Sequence, residues 1–145
     1  AQLFHSTRKR VGGVPSTTFS LNVFHQEISV IDIQKCISFL WPFIKPIQFD
    51  VNTMNESKMQ PFQSADNDYG LCTGALQMPD HTFFIVDESK LNEGQLSEKG
   101  YKNFVALQRA IDSQSVAYEI PYGSFESECD FNFLVVGTST SLLKV

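Results

Sequence analysis

The stretch His81-Thr82-Phe83-Phe84-Ile85-Val86-Asp87-Glu88 restricts the fold more than any other in this chain. Bulky and β-branched apolar residues run from Phe83 to Val86 without a polar break, and two acids follow at once. A strand with one wet face alternates apolar and polar residues. An unbroken run predicts instead a strand covered on both faces, as in a parallel sheet. Phe131-Asn132-Phe133-Leu134-Val135-Val136-Gly137 predicts a second fully buried strand. The functional edge of such a sheet lies at the carboxyl ends of its strands, where Asp87 and Glu88 emerge.

Other segments supply the alternation of strands and helices that a parallel sheet needs. Thr17 to Phe24 alternates apolar and polar at period two, a strand signal. Val30, Ile33, Ile37, Leu40 and Trp41, with Cys36 on the same side, have helical spacing. Ser29 placed three residues before Asp32 predicts the helix start, and Pro42 its end. Ile47 to Val51 predicts another strand, so the opening reads strand, helix, strand. The polar stretch from Asn52 to Thr73 is long for a loop and predicts a short helical turn or a functional excursion. Gly74 to Met78 is expected to form a short strand. Tyr101 to Ile111 reads as a helix with Tyr101, Phe104, Val105, Leu107 and Ile111 facing inward. Val116–Ile120, a turn at Pro121–Ser124 and the return through Phe125 read as a β-hairpin inserted after that helix.

At 145 residues, 42% of them hydrophobic, the chain is one domain with room for a real core. It begins at Ala1, not Met, and is read as a piece of a longer protein. No apolar run approaches the roughly 18 residues that span a bilayer, so no membrane partner is expected. Three cysteines, Cys36, Cys72 and Cys129, without a CxxC pair favour reduced, buried thiols over a disulfide framework. A net charge of −5 argues against general nucleic-acid binding, which needs a basic face. The one basic cluster, Arg8-Lys9-Arg10, reads as a solvated arm. His5, His25 and His81 are scattered, without the spacing of a metal site. Asp66–Gly70 lacks the downstream Glu of a calcium loop and reads as a turn.

The strand ending in Asp87 and Glu88 resembles the Walker-B strand of AAA+ ATPases, where the Asp helps to hold magnesium and the Glu activates water. A working ATPase also needs Gly-x-x-x-x-Gly-Lys-Ser/Thr after the first strand, because bare N–H groups and a lysine must wrap the phosphates. Here that position reads His25-Gln26-Glu27-Ile28-Ser29-Val30-Ile31-Asp32, with no Gly, no Lys and two carboxylates. Asp87 and Glu88 are therefore read as a remnant that caps the next segment or touches a partner.

Gly74-Ala75-Leu76-Gln77-Met78-Pro79, Ile85-Val86-Asp87-Glu88-Ser89, Leu91, Glu93-Gly94-Gln95-Leu96, Gly100, Asn103, Leu107, Gln114–Tyr118 and Ser141-Leu142-Leu143 together resemble the mini-chromosome maintenance (MCM) complex-binding protein family. The resemblance is densest over residues 74–143 and looser from Phe19 to Val51. The family usually has Asp-Glu-Thr at 87–89, Lys-Val-x-Tyr at 115–118 and Ser-Glu-Gly at 137–139. This chain has Asp87-Glu88-Ser89, Ser115-Val116-Ala117-Tyr118 and Gly137-Thr138-Ser139.

The resemblance implies an α/β fold: a three-layer AAA+/P-loop-like core with a mostly parallel sheet and an inserted β-hairpin, lacking the phosphate loop. Residues 1–16 would be an N-terminal arm or linker and 17–145 a degenerate AAA+-like domain, its final strand and helical lid lying past Val145. The implied function is a non-catalytic interaction module in the nucleus. It would bind MCM helicase subunits other than the second during assembly, import or unloading of MCM complexes, with links to DNA replication and sister-chromatid cohesion. No catalytic, cofactor-binding or metal residue, and no cofactor, is expected. The hairpin lies where MCM subunits carry a DNA-touching hairpin. Yet no Lys or Arg occurs between Arg109 and Lys144, while Asp112, Glu119, Glu126, Glu128 and Asp130 do. DNA is therefore not its expected ligand. Glu119, Tyr122, Glu126 and Glu128 are the candidate partner-binding residues. The competing readings are an ATPase that keeps Asp87 and Glu88 with an unconventional phosphate site, and a single-strand binder stacking bases on the 13 phenylalanines.

Overall fold

In chain order the computed structural model runs β1 (Gln2–Lys9), β2 (Pro15–Phe24), α1 (Val30–Ser38), β3 (Ile44–Gln48), α2 (Val51–Glu56), β4 (Phe62–Gln63), β5 (Leu71–Cys72), β6 (Phe83–Asp87), α3 (Glu98–Ser113), β7 (Ser115–Ile120), β8 (Gly123–Glu128) and β9 (Asn132–Gly137). It describes residues 2–9, 15–24, 29–64, 68, 70–138 and 140–144. A five-stranded sheet has the order β1-β2-β9-β6-β3, parallel except for β1, which runs antiparallel to β2. The stretch read as an N-terminal arm, residues 1–16, contributes β1 and the first residues of β2.

The two apolar runs form the middle of this sheet, as their sequence demands. On one face, Phe84, Val86, Phe133 and Val135 pack with Met54 of α2 and Ala106, Leu107, Ala110 and Ile111 of α3. On the other, Phe83, Ile85, Leu134 and Val136 pack with Val30, Ile33 and Ile37 of α1 and with Trp41. Period-two side chains thus feed two cores from the same strands, giving three layers. Phe84 stacks on Phe133 at 5.2 Å and meets Phe131 edge-on at 5.0 Å. Edge strand β3 carries Pro46, which is tolerated where a missing N–H faces no neighbouring strand.

Four local expectations need correction. The strand predicted over Ile47–Val51 lies at Ile44–Gln48 instead, because Asp50 caps α2. Its Oδ1 accepts from the Thr53 N–H at 2.9 Å and Oδ2 from the Thr53 hydroxyl at 2.8 Å. The backbone bond from Thr53 is the main reason its carboxyl sits below the usual range. Gly74–Met78 is a turn, not a strand. It delivers Leu76 to the core, and a Cβ on Gly74 would fall 2.3 Å from the Gln60 carbonyl carbon. On α1, Cys36 and Leu40 are exposed although Val30, Ile33 and Ile37 face the sheet. Ser29 is the N-cap but makes no side-chain capping bond.

The fourth correction concerns the inner face of α3. Its buried residues are Gly100, Asn103, Ala106, Leu107, Ala110 and Ile111, while Tyr101 and Val105 are exposed. Two helices approach closely only through small side chains, so bulk misreported the contact face. The hairpin itself, β7–β8, forms as predicted. It is not isolated: β7 pairs in parallel with β4, which pairs with β5, making a second sheet of order β5-β4-β7-β8. The polar stretch from Asn52 to Thr73 supplies α2, β4 and β5, the helical turn included.

Candidate interaction surface

The two acids at the carboxyl end of β6 are occupied by their own chain. Asp87 accepts from the Ser89 N–H through Oδ1 at 2.9 Å, capping the segment that follows. Glu88 continues the ladder by donating its N–H to the Val136 carbonyl at 2.8 Å, and it is only 5% exposed. Its carboxylate accepts from the Leu143 N–H at 3.4 Å and is also bonded by the Ser141 hydroxyl and the Leu142 N–H. Burial pushes the Glu88 carboxyl above its ordinary pKa, and the three bonds oppose that only in part.

Gln108 finishes the same docking. It donates to the Lys144 carbonyl at 2.8 Å and accepts from the Lys144 N–H at 2.9 Å, while Leu143 enters the core. An acid that activates water must face the reacting phosphate. Glu88 faces residues 141–143. Of the position where a phosphate loop would stand, residues 25–28 lie outside the described residues and Val30–Asp32 begin α1.

A cleft of about 460 Å³ opens beside these acids, lined by Gln48, Asp50, Asn55, Lys90, Glu93 and Gln95 among others. Its floor is a staple. Asn55 accepts from the Ser97 N–H at 2.8 Å and hydroxyl at 3.0 Å, and donates to the Gln95 carbonyl at 3.2 Å. Asn103 does the same between helices: it accepts from the Met59 N–H at 3.1 Å and donates to the carbonyls of Met54 at 2.7 Å and Ser57 at 2.9 Å. The sequence pattern gave no warning that buried amides would join α2 to α3.

The second region is the groove between α3 and the hairpin. One part, about 400 Å³, is lined by Lys58, Ser97, Lys99, Lys102 and Glu119, and it continues along Tyr101, Val105, Arg109 and Ser124. Cations face the acids of the hairpin across it: Arg109 of α3 meets Glu126 at 2.9 Å, and Lys58, between α2 and β4, meets Glu119 at 3.9 Å. Lys102 pairs with Glu98 at 3.0 Å, which lowers the Glu98 carboxyl and raises the Lys102 amine. These pairs are solvent-exposed and hold little stability. Glu128 is exposed, and Tyr122 at the tip is fully exposed. Phe125 stacks on Tyr118 at 4.7 Å yet stays half exposed. The hairpin thus gathers Glu119, Tyr122, Glu126 and Glu128 on one projection, far in character from the enclosed Glu88.

The remaining sequence candidates disperse. His81, with φ 66°, places Nδ1 3.3 Å from Asp130 Oδ2, and its carbonyl accepts from the Trp41 indole at 2.8 Å. All three cysteines are free thiols; Cys129 is buried as expected, but Cys36 is exposed. The Asp66–Gly70 segment lies largely outside the described residues. Among the described residues no group of three or more His, Cys, Asp or Glu is arranged to hold a metal ion, and no helix is long and apolar enough to cross a membrane.

The family model described as mini-chromosome maintenance replisome factor matches residues 1–145. The chain belongs to this family. Similar curated proteins are named mini-chromosome maintenance complex-binding protein. That of Homo sapiens is 32% identical over 111 residues, covering 77% of this chain and 17% of the human protein. That of Gallus gallus is 33% identical over 111 residues, with the same coverage. The Arabidopsis thaliana protein is 29% identical over 147 residues, covering 96% of this chain and 24% of its own. The chain therefore spans a quarter or less of these relatives. Several residues that carry the family resemblance sit in these staples and close approaches: Gly74, Gln95 and Asn103 as above, Gly94 against Val51, and Gly100 against Asn55. They hold the frame on which the hairpin is mounted.

Proposed function

We propose that this chain is a non-catalytic module that binds components of the MCM complex, and that the α3–hairpin groove is the surface it uses. Membership in a family whose curated relatives are named for binding that complex carries the reading. The geometry supports it in two ways. Glu88, the acid to which the Walker-B resemblance would give water activation, is enclosed by its own chain. The hairpin acids and Tyr122 are presented outward. Four parallel strands in the order β2-β9-β6-β3, with a hairpin entering before β9, fit a degenerate AAA+-like core.

The finer reading is that the partners are MCM helicase subunits other than the second, met in the nucleus during assembly, import or unloading of MCM complexes. DNA replication and sister-chromatid cohesion are the processes served. The acidic hairpin repels phosphate, so partner protein rather than nucleic acid is its ligand. Calorimetric titration of the chain with purified MCM subunits, beside ATP plus magnesium, tests this. A saturable subunit signal without nucleotide heat is expected. Nucleotide heat with no subunit signal would overturn the reading.

A further inference from the structure

Sheets do not leave a long strand edge bare without consequence. An unpaired row of N–H and C=O groups templates another strand, and proteins blunt such edges with lysine, proline, bulges or very short strands. In the five-stranded sheet, edge strand β3 carries two of these devices, Lys45 and Pro46. In the second sheet, β8 carries none. It is six residues long, pairs with β7 in unbroken register from Ser115↔Glu128 to Ile120↔Gly123, and contains neither Pro nor Lys. Among the described residues its ladder partner is β7 alone.

The register says which groups are free. Cys129 donates its N–H to the Gln114 carbonyl at 2.9 Å, so this pair is a hydrogen-bonded one. Antiparallel pairs alternate between bonded and non-bonded. Gly123, Phe125 and Ser127 therefore bond inward to β7, and the main chains of Ser124, Glu126 and Glu128 point outward, the Glu128 carbonyl accepting from the Ser127 hydroxyl at 3.4 Å. No bond from an outward N–H is found among the described residues. Side chains alternate as well. Ser124 and Glu126 look toward Arg109 of α3, and Phe125 lies on the opposite face against Tyr118.

Accepting the hairpin as a partner-binding surface, the geometry points to its mode: β8 takes an extended protein segment as an added strand, one in which basic and apolar residues alternate. Main-chain bonds to Ser124, Glu126 and Glu128 supply the affinity. Apolar residues of the incoming strand lie beside half-exposed Phe125, and basic ones beside Glu128 and the outer side of Glu126. The same charges reject a second copy of this chain, since edge-to-edge pairing would set glutamate against glutamate on a molecule of net charge −5.

The test uses an acetylated peptide of alternating Lys and Val, labelled for fluorescence anisotropy, and the chain itself. Saturable binding is expected. Methylating alternate peptide nitrogens on the pairing edge should weaken it about tenfold, as should Glu126→Pro, which removes an outward N–H without touching the β7 ladder. Glu126→Gln keeps that N–H and should weaken binding only about threefold. Amide exchange should slow at Ser124, Glu126 and Glu128 on peptide addition, with Gly123, Phe125 and Ser127 unchanged. Binding indifferent to N-methylation, uniform protection along β8, or no binding of the peptide would overturn strand addition. MCM subunit binding that survives any of these results would leave the interaction reading standing, whereas its loss from the unaltered chain would remove both.

Discussion

Two places in this molecule present acids next to a strand end, and they are opposites. At the end of β6, Glu88 is buried, bonded by Ser141, Leu142 and Leu143, and pushed toward its neutral form. On the hairpin, Glu126 and Glu128 stand in water, and Glu126 has only an exposed ion pair. The pair with the more suggestive sequence, Asp87-Glu88, is internal carpentry, and the pair without a motif is the accessible one. Motif chemistry needs an open face, and Glu88 lacks one whereas the hairpin acids have it.

Mutations should separate the two regions. Phe84→Ala empties the stacked aromatic cluster behind Asp87 and should cost about 3–5 kcal/mol by urea denaturation. Asn103→Leu strands three main-chain partners and should cost about 3 kcal/mol; a loss under about 1 kcal/mol would mean the α2–α3 staple is incidental. Glu88→Ala should cost about 1–3 kcal/mol by removing the buried carboxyl that holds the 141–143 segment against the end of β6. Glu88→Gln separates charge from shape. A carboxyl whose folded pKa is raised contributes stability that is full below its unfolded value and lost as pH rises through the folded value. The native chain should therefore lose a stability increment on going from mildly acid to neutral pH that Glu88→Gln does not lose. Parallel pH profiles for the two would show that Glu88 is not held toward neutrality. Smallest in stability is Glu119→Lys with Glu126→Lys and Glu128→Lys, expected to stay within about 1 kcal/mol of the native chain. The same triple variant should lose MCM subunit capture, so unchanged capture would erase the functional contrast between the two regions.

Sequence reading succeeded where a residue's environment is set by near neighbours in the chain. Phe83–Val86 and Phe131–Gly137 can be buried on both faces only as inner strands, and Pro121-Tyr122-Gly123 can only turn. It failed where distant segments decide. Gly74–Met78 has the composition of a strand but is shaped by the Gln60 carbonyl pressing on Gly74. Tyr101 and Val105 have the right spacing for a core, yet α2 selects Gly100, Asn103 and Ala106. Of the candidate residues, the enclosure of Glu88 depends on residues 141–143, more than fifty positions away in sequence by rough count.

One pairing bears on how the chain is made. β2 lies beside β9, with Ser20 opposite Phe133 and Phe24 opposite Gly137. β2 must wait for a strand far along the chain before its inner edge is filled. Pairings of such separation close slowly and leave apolar edges uncovered meanwhile. A truncation before Asn132 would strand β2 and β6 without the neighbour that separates them.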